Sequence, residues 1–260
     1  MPATTKDLRV YPFVRWERLK PYIAWKQGQH VFCCGGTGSG KSTVAGEFLN
    51  RRAQVVVCVS KGKDPIFETP PYNNYTRIDH WPPPRMRAPG KPPPNHVLLW
   101  PDVKKTGVLT RAHKHDVFRA MFDDILLVRG NWCVDVDETH YMSSTLRLRD
   151  EITDMLEQGR SAGISMWNNT QRPADIPLAI YVNSTHAFLF QAQEDYDVQR
   201  LANLKNRHTS AQEMRYNIDR LDSFRTHEFV YLDRSGVIPP VRSIVEKGKQ
   251  RGTQERHVRR

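Results

Sequence analysis

The chain has 260 residues, with 39 lysines and arginines against 28 aspartates and glutamates, and only four cysteines. This length carries one large domain or two small ones, and 38% hydrophobic with 26% charged residues excludes a mostly disordered chain, even at a mean hydropathy of −0.63. No apolar run approaches the roughly 20 residues of a membrane-spanning helix, and residues 1–13 lack the apolar core of a secretory signal, so a cytoplasmic address is expected.

The formal net charge of +11 points to a polyanionic partner, but it is unevenly spread. It is +4 over residues 1–29, +2 over 30–59, +4 over 60–106, −3 over 107–245 and +4 over 246–260. The charge reads as appended to a nearly neutral globular body.

In chain order, 29–34 (QHVFCC) reads as a buried strand, 41–50 as a helix and 54–60 as a second strand. Residues 65–101 hold 11 of the 18 prolines and read as an extended insert or long loop, because proline removes a backbone donor and fixes φ. A short strand is expected at 96–100, then a helix over 111–128 with Val117, Met121, Ile125 and Val128 on one face. Strands follow at 131–137, 164–170 and 185–191, with helices at 146–158 and 194–204. Residues 227–233 and 237–245 resemble two terminal strands, antiparallel across Arg234-Ser235-Gly236. Alternating strands and helices predict a mainly parallel sheet with helices on both faces. The last segment, 246–260, has almost no apolar content and is expected to be disordered.

Between the first strand and the first helix lies Gly35-Gly36-Thr37-Gly38-Ser39-Gly40-Lys41-Ser42-Thr43, which fits GxxxxGK[ST] in the context that motif requires. Glycine lets the backbone wrap a phosphate, the helix N-terminus adds partial positive charge, Lys41 reaches the terminal phosphates and the Ser42 hydroxyl ligates Mg²⁺. A nucleoside triphosphate with Mg²⁺ also needs carboxylates at a neighbouring strand end, and Cys133-Val134-Asp135-Val136-Asp137-Glu138 supplies them. Asp137 is placed to hold the metal and Glu138 to polarise water as general base. By period-two alternation Asp135 points to the same side as Asp137, which leaves a register in which Asp135 holds the metal.

Gln171, after the 164–170 strand, is placed either to sense the terminal phosphate and orient water or simply to close a turn. Arg160 either reaches a neighbouring subunit's nucleotide or is a cation favoured at a helix C-terminus. Trp16, Tyr22 and Trp25 are candidates for packing on a base, with core packing as the commoner fate of such aromatics. The cysteines read as buried small hydrophobes, and His113 and His115 have no metal-ligand spacing.

The sequence resembles the HerA/FtsK superfamily of ring-forming DNA-pumping ATPases, including small viral genome-packaging members. The resemblance is carried by His30-Val31-Phe32 leading into Gly35–Thr43, by Val134–Glu138, by Gly159-Arg160-Ser161-Ala162-Gly163 running to Thr170-Gln171-Arg172-Pro173, and by Ser184–Phe190. It covers residues 30–60 and 131–205, with Asp135 and Asn168-Asn169 departing from the more apolar family pattern.

It implies an α/β, RecA-like P-loop NTPase domain over 30–245, with a Pro-rich insert at 64–101, a basic N-terminal extension at 1–29 and a basic tail at 246–260. It further implies ATP and Mg²⁺ as cofactors, Lys41, Ser42, Asp137 and Glu138 as the catalytic core, Gln171 as sensor and Arg160 as a trans-acting arginine. The implied partners are double-stranded DNA, further copies of the chain in a hexameric ring, and viral portal or capsid proteins. Arg85, Arg87 and Lys91, and Lys247, Lys249, Arg251, Arg256, Arg259 and Arg260 are candidate phosphate contacts. The expected activity is ATP-driven translocation of duplex DNA for a phage or mobile element, in the host cytoplasm if the chain is viral. The alternatives are an ATPase for assembly or export of a protein complex, and an ATP-binding regulatory module.

Overall fold

A computed structural model describes residues 8–83, 94–101 and 107–246. Nine strands among them form one sheet: β1 (His30–Cys34), β2 (Val55–Cys58), β3 (Thr76–Ile78), β4 (His96–Leu99), β5 (Cys133–Val136), β6 (Ser165–Thr170), β7 (Ser184–Phe190), β8 (Glu228–Asp233) and β9 (Val241–Ile244). Their order is β3-β4-β2-β5-β6-β1-β7-β8-β9. Strands β3 to β7 in that order are mutually parallel, while β7–β8 and β8–β9 pair antiparallel. The expected α/β class, parallel centre and antiparallel terminal pair are therefore present.

Successive residues on the central strands enter opposite faces. Phe32, Cys34, Val56, Val134 and Leu189 face one core, covered by α3 (Val108–Asp124), α4 (Arg149–Gln158), α5 (Leu178–Asn183), α6 (Asp195–Ala202) and α7 (Ala211–Asp219). Val31, Cys33, Val57, Trp167 and Phe188 face the other, covered by α1 (Trp16–Leu19) and α2 (Lys41–Leu49). A short α8 (Ser223–Thr226) precedes β8. All four cysteines are free and fully buried in strands, where burial raises each thiol pKa and leaves them as packing groups.

Residues 8–29 pack as part of the fold, burying Tyr11, Trp16, Leu19 and Ile23. Val14 N–H donates to the Arg242 carbonyl and Arg242 N–H to the Pro12 carbonyl, each at 2.9 Å, so the segment runs along β9.

The Pro-rich stretch is likewise partly built in. Phe67, Tyr72, Tyr75, Ile78 and Trp81 are buried, and β3 lies within the segment read as loop. The Tyr72 hydroxyl donates to the Ser42 carbonyl at 2.8 Å, so this segment buttresses α2. Residues 84–93, with Arg85, Arg87 and Lys91, and the tail 247–260 lie outside the described residues.

One helical-face expectation fails at its end. Val117, Met121 and Ile125 are buried but Val128 is 76% exposed. The last turn of α3 widens over Ile125–Arg129, with Gly130 N–H reaching back to the Ile125 carbonyl at 2.9 Å, and this rotates Val128 off the buried stripe.

Candidate functional site

At the carboxyl ends of β1, β2, β5 and β6 the chain leaves the sheet in four turns that face one cleft of about 150 Å³. It is lined by residues 37–43 after β1, Lys61, Asp64 and Ile66 after β2, Asp137 after β5 and Gln171 after β6.

The loop after β1 is glycine-dependent for local reasons. A Cβ on Gly35 would stand 2.5 Å from the Phe190 Cβ and 2.8 Å from the Ser39 Oγ, and Gly40 sits at φ +108. Gly35 N–H donates to the Thr170 carbonyl at 3.1 Å, and Ser39 N–H to the Gly36 carbonyl at 3.3 Å. The Lys41 ammonium folds back onto its own loop, donating to the Gly35 and Gly36 carbonyls at 2.6 and 2.9 Å. Lys41 is also the first residue of α2, so the positive end of that helix faces the same cleft. Phe224 of α8 lies over Gly36, 2.9 Å from where a Cβ would be.

Asp137 follows β5 and is 6% exposed. Its Oδ2 is buried without a hydrogen-bond partner, and the Lys61 Nζ stands 3.4 Å away. Burial raises the Asp137 pKa above the ordinary carboxylate value, with the Lys61 charge opposing. Asp135 lies one pleat deeper in the strand and outside the cleft lining. It is 2% exposed and accepts a 2.7 Å hydrogen bond from the Asn169 amide, which is itself held by the Trp167 indole N–H at 3.1 Å. Burial, then the nearby Asp137 charge, push the Asp135 carboxyl well above its usual range, with the Asn169 amide opposing. Between the two registers left open by the sequence, Asp137 is the one that faces the cleft.

The Glu138 Oε1 accepts from the Thr170 hydroxyl at 3.1 Å and from the Gln171 N–H at 3.4 Å. The Gln171 Oε1 in turn accepts from the Thr37 hydroxyl at 3.0 Å. The ends of β5 and β6 and the glycine loop are thus tied together by side chains.

Arg160 is not brought to this place. It is exposed in the turn before β6, at the opposite end of that strand from Gln171, and β6 alone spans roughly 20 Å at ~3.3 Å per residue. Trp16 is in the core behind α2, with its ring centroid 5.6 Å from that of Phe229, and the partly buried Trp25 packs against that core 5.2 Å from Trp167, while Tyr22 is 74% exposed.

Sequence reading missed Lys61 and Asp64, and it quoted Thr170 and Asn169 without giving either a contact at the site. A lysine just past a buried strand carries no motif, and only the sheet order, which seats β2 beside β5, sets it against Asp137. Among the described residues no group of three or more His, Cys, Asp or Glu side chains is gathered as a metal site, and no helix is long and apolar enough to cross a membrane.

No protein-family model and no curated protein sequence matches the chain. Solved structures do. The DNA-packaging ATPase B204 of Sulfolobus turreted icosahedral virus superposes with a TM-score of 0.59 at 15% identity, over 84% of this chain and 97% of that one. The genome-packaging NTPase B204 of Sulfolobus turreted icosahedral virus 2, in complex with ATP-gammaS, gives a TM-score of 0.58 at 15% identity, over 84% and 98% of the two chains. The conjugation coupling protein TcpA of pCW3, with ATPgS, gives 0.53 at 13% identity, over 91% of this chain and 70% of that one. With a glycine loop after β1, an acidic end to β5 and this strand order, the chain shares the α/β fold of these packaging and coupling ATPases.

Proposed function

We propose that the chain is a Mg²⁺-dependent ATPase that drives the movement of double-stranded DNA. The observation that carries the reading is the convergence on one cleft of Lys41, Ser42, Asp137 and Gln171, with Glu138 tethered at its edge. Packaging and conjugation proteins of the same fold support DNA as the cargo.

The donor set suits Mg²⁺. The orphaned, buried Oδ2 of Asp137 and the Ser42 hydroxyl on the cleft wall are hard oxygen donors, and Mg²⁺ takes few protein ligands because substrate phosphates and waters complete its shell. When bound, it supplies neutralisation of charge on the terminal phosphates. The protein's own groups do the rest. Lys41 exchanges two carbonyl partners for phosphate oxygens, and the α2 N-terminus adds its partial charge. Glu138 takes the proton of the attacking water, held in place for that by Thr170 and the Gln171 N–H, and the Gln171 side chain orients the water. A small-molecule kinase must keep such a water out, so the adjacent acid favours a hydrolase. Arg160 serves only a neighbouring copy's nucleotide, which makes a ring, with six subunits expected, part of the proposal.

The test is phosphate release by the full chain with Mg²⁺-ATP, with and without duplex DNA at low salt. Turnover that rises with duplex, and is lost in Lys41→Ala, is expected. Turnover indifferent to saturating duplex removes DNA as cargo and moves the reading to protein assembly or export. Absence of turnover in the unmodified chain despite nucleotide binding removes the enzyme.

A further inference from the structure

The cleft holds a second lysine that the motif does not account for. Lys61 enters from the turn after β2, opposite the glycine loop, and its ammonium donates to the Asp64 Oδ2 at 2.9 Å while standing 3.4 Å from the Asp137 Oδ2. The second distance fits an ion pair but not a strong hydrogen bond, so the ammonium is held by Asp64 and only electrostatically coupled to Asp137.

Its backbone is fixed from behind. The Ser60 carbonyl accepts from the Lys114 ammonium at 2.5 Å, and the Lys61 carbonyl from the Trp100 indole N–H at 2.7 Å. Trp100 is itself buried, with the Arg77 guanidinium 4.1 Å over its ring. Asp64 is anchored too, because its other oxygen accepts from the Ile66 N–H at 3.2 Å and caps the short turn Pro65–Glu68. A pinned backbone with a long, half-exposed side chain can swing its head group without moving the turn.

Two ammonium groups on facing walls, Lys41 and Lys61, fit an anion with charge at more than one point along its length. Only Lys41 belongs to the glycine loop, and Lys61 enters independently from the turn after β2. We propose that Lys61 recognises the terminal phosphate of a nucleoside triphosphate: it faces Asp137 while the cleft has no anion, and transfers to the outermost phosphate when the triphosphate enters. Lys61 is then a specificity residue that separates triphosphate from diphosphate, and the turn after β2 registers which one is bound. This rests on the reading of the cleft as a nucleotide site.

The test is equilibrium binding to the full chain of a fluorescent, non-hydrolysable ATP analogue and of the matching ADP, with Mg²⁺, for the unmodified protein, Lys61→Met, Lys61→Arg and Lys41→Ala. A charge-assisted contact to the last phosphate predicts about a tenfold rise in Kd for the triphosphate in Lys61→Met, with the diphosphate Kd within about twofold. Lys61→Arg should keep most of the preference. The diphosphate titration reports a folded cleft in the same sample. Equal weakening of both nucleotides, or no change in either, overturns the assignment to the terminal phosphate. If Lys41→Ala loses both nucleotides while Lys61→Met loses neither, this inference falls and the nucleotide site stands. If the unmodified chain binds neither, the nucleotide reading falls first.

Discussion

The Thr170 hydroxyl donates to the Glu138 carboxylate at 3.1 Å, which fixes the acid at the end of β5 to the end of the neighbouring strand β6. A general base works only when its oxygen is aimed at the water it deprotonates. Glu138→Gln should therefore lower turnover by about 100-fold or more while leaving nucleotide binding intact. Thr170→Val keeps the acid but frees its orientation, and a loss of about tenfold in kcat with little change in KM is expected. Steady-state phosphate release beside a binding titration separates the two. Full activity in Glu138→Gln would remove the base role.

Two glycines in one loop should respond differently to the same methyl group. At Gly35 the new Cβ meets the Cβ of Phe190 and the Oγ of Ser39, atoms held by β7 and by the loop itself. Gly35→Ala should cost about 1–3 kcal/mol from overpacking and abolish phosphate binding by forcing the loop open. At Gly38 nothing lies within 4 Å, and the cost is only that of holding alanine at φ +77, roughly 1–2 kcal/mol. Denaturant melts of the two variants should fall in the same range, whereas nucleotide titrations should show binding lost in Gly35→Ala and kept in Gly38→Ala, and the reverse would contradict the loop geometry.

Motif and periodicity made β1, the glycine loop, α2 and the acidic end of β5 legible, because a phosphate site needs those residue types in one local stretch. The antiparallel pair β8–β9 was legible from two strand-like stretches separated by Arg234-Ser235-Gly236. What escaped depends on contacts far apart in sequence. Thr76-Arg77-Ile78 is too short and too close to prolines to read as strand β3, and becomes one only by pairing with β4. The basic count of residues 1–29 obscured an apolar spacing, Trp16, Leu19 and Ile23, that the fold buries. A local signal was overlooked in Ser210-Ala211-Gln212-Glu213, a capping box that starts α7. Lys61 had no signal in one sequence, since its partner Asp137 meets it only through the order of β2 and β5.

Two histidines at the amino ends of β1 and β7 set an acid limit on stability. His30 accepts from the Met166 N–H at 3.1 Å through Nδ1, and its Nε2 is buried without a partner. The His186 Nδ1 lies 2.8 Å from the Tyr231 hydroxyl, and its Nε2 3.2 Å from the Gln29 Oε1. Burial holds both pKa values down to about 4, against about 6.5 in the unfolded chain. Folded pKa values below the unfolded ones mean that the unfolded state takes up protons first as pH falls. The stability due to each neutral ring is complete above about pH 6.5 and is lost on the way down to about pH 4, by on the order of 2 kcal/mol each between pH 7.5 and 5. Asp135, whose pKa is raised, acts in the opposite sense, so the comparison must be with a variant. Urea midpoints for His186→Asn should fall less steeply over that interval than those of the unmodified chain, and parallel slopes would mean that His186 titrates normally when folded.

The amino-terminal segment should prove inseparable from the domain. Asn217 on α7 is fully buried, and its Oδ1 accepts from the Tyr11 N–H at 2.7 Å while its Nδ2 donates to the Arg9 and Glu213 carbonyls at 2.9 and 2.8 Å. The Tyr11 hydroxyl makes a further hydrogen bond to Thr209. Asn217→Ala leaves a buried backbone donor unpaired, which costs about 1–3 kcal/mol. The loss is local first, because the strap along β9 loses its anchor while the sheet behind it keeps its packing. Limited proteolysis should then cut near Arg9 and Arg15 well before the rest of the chain, and urea unfolding should shift to lower concentration. If the variant resists cleavage as the unmodified protein does, Asn217 is not what holds residues 8–15 in place, and the pairing of Val14 and Arg242 along β9 would have to be sufficient alone.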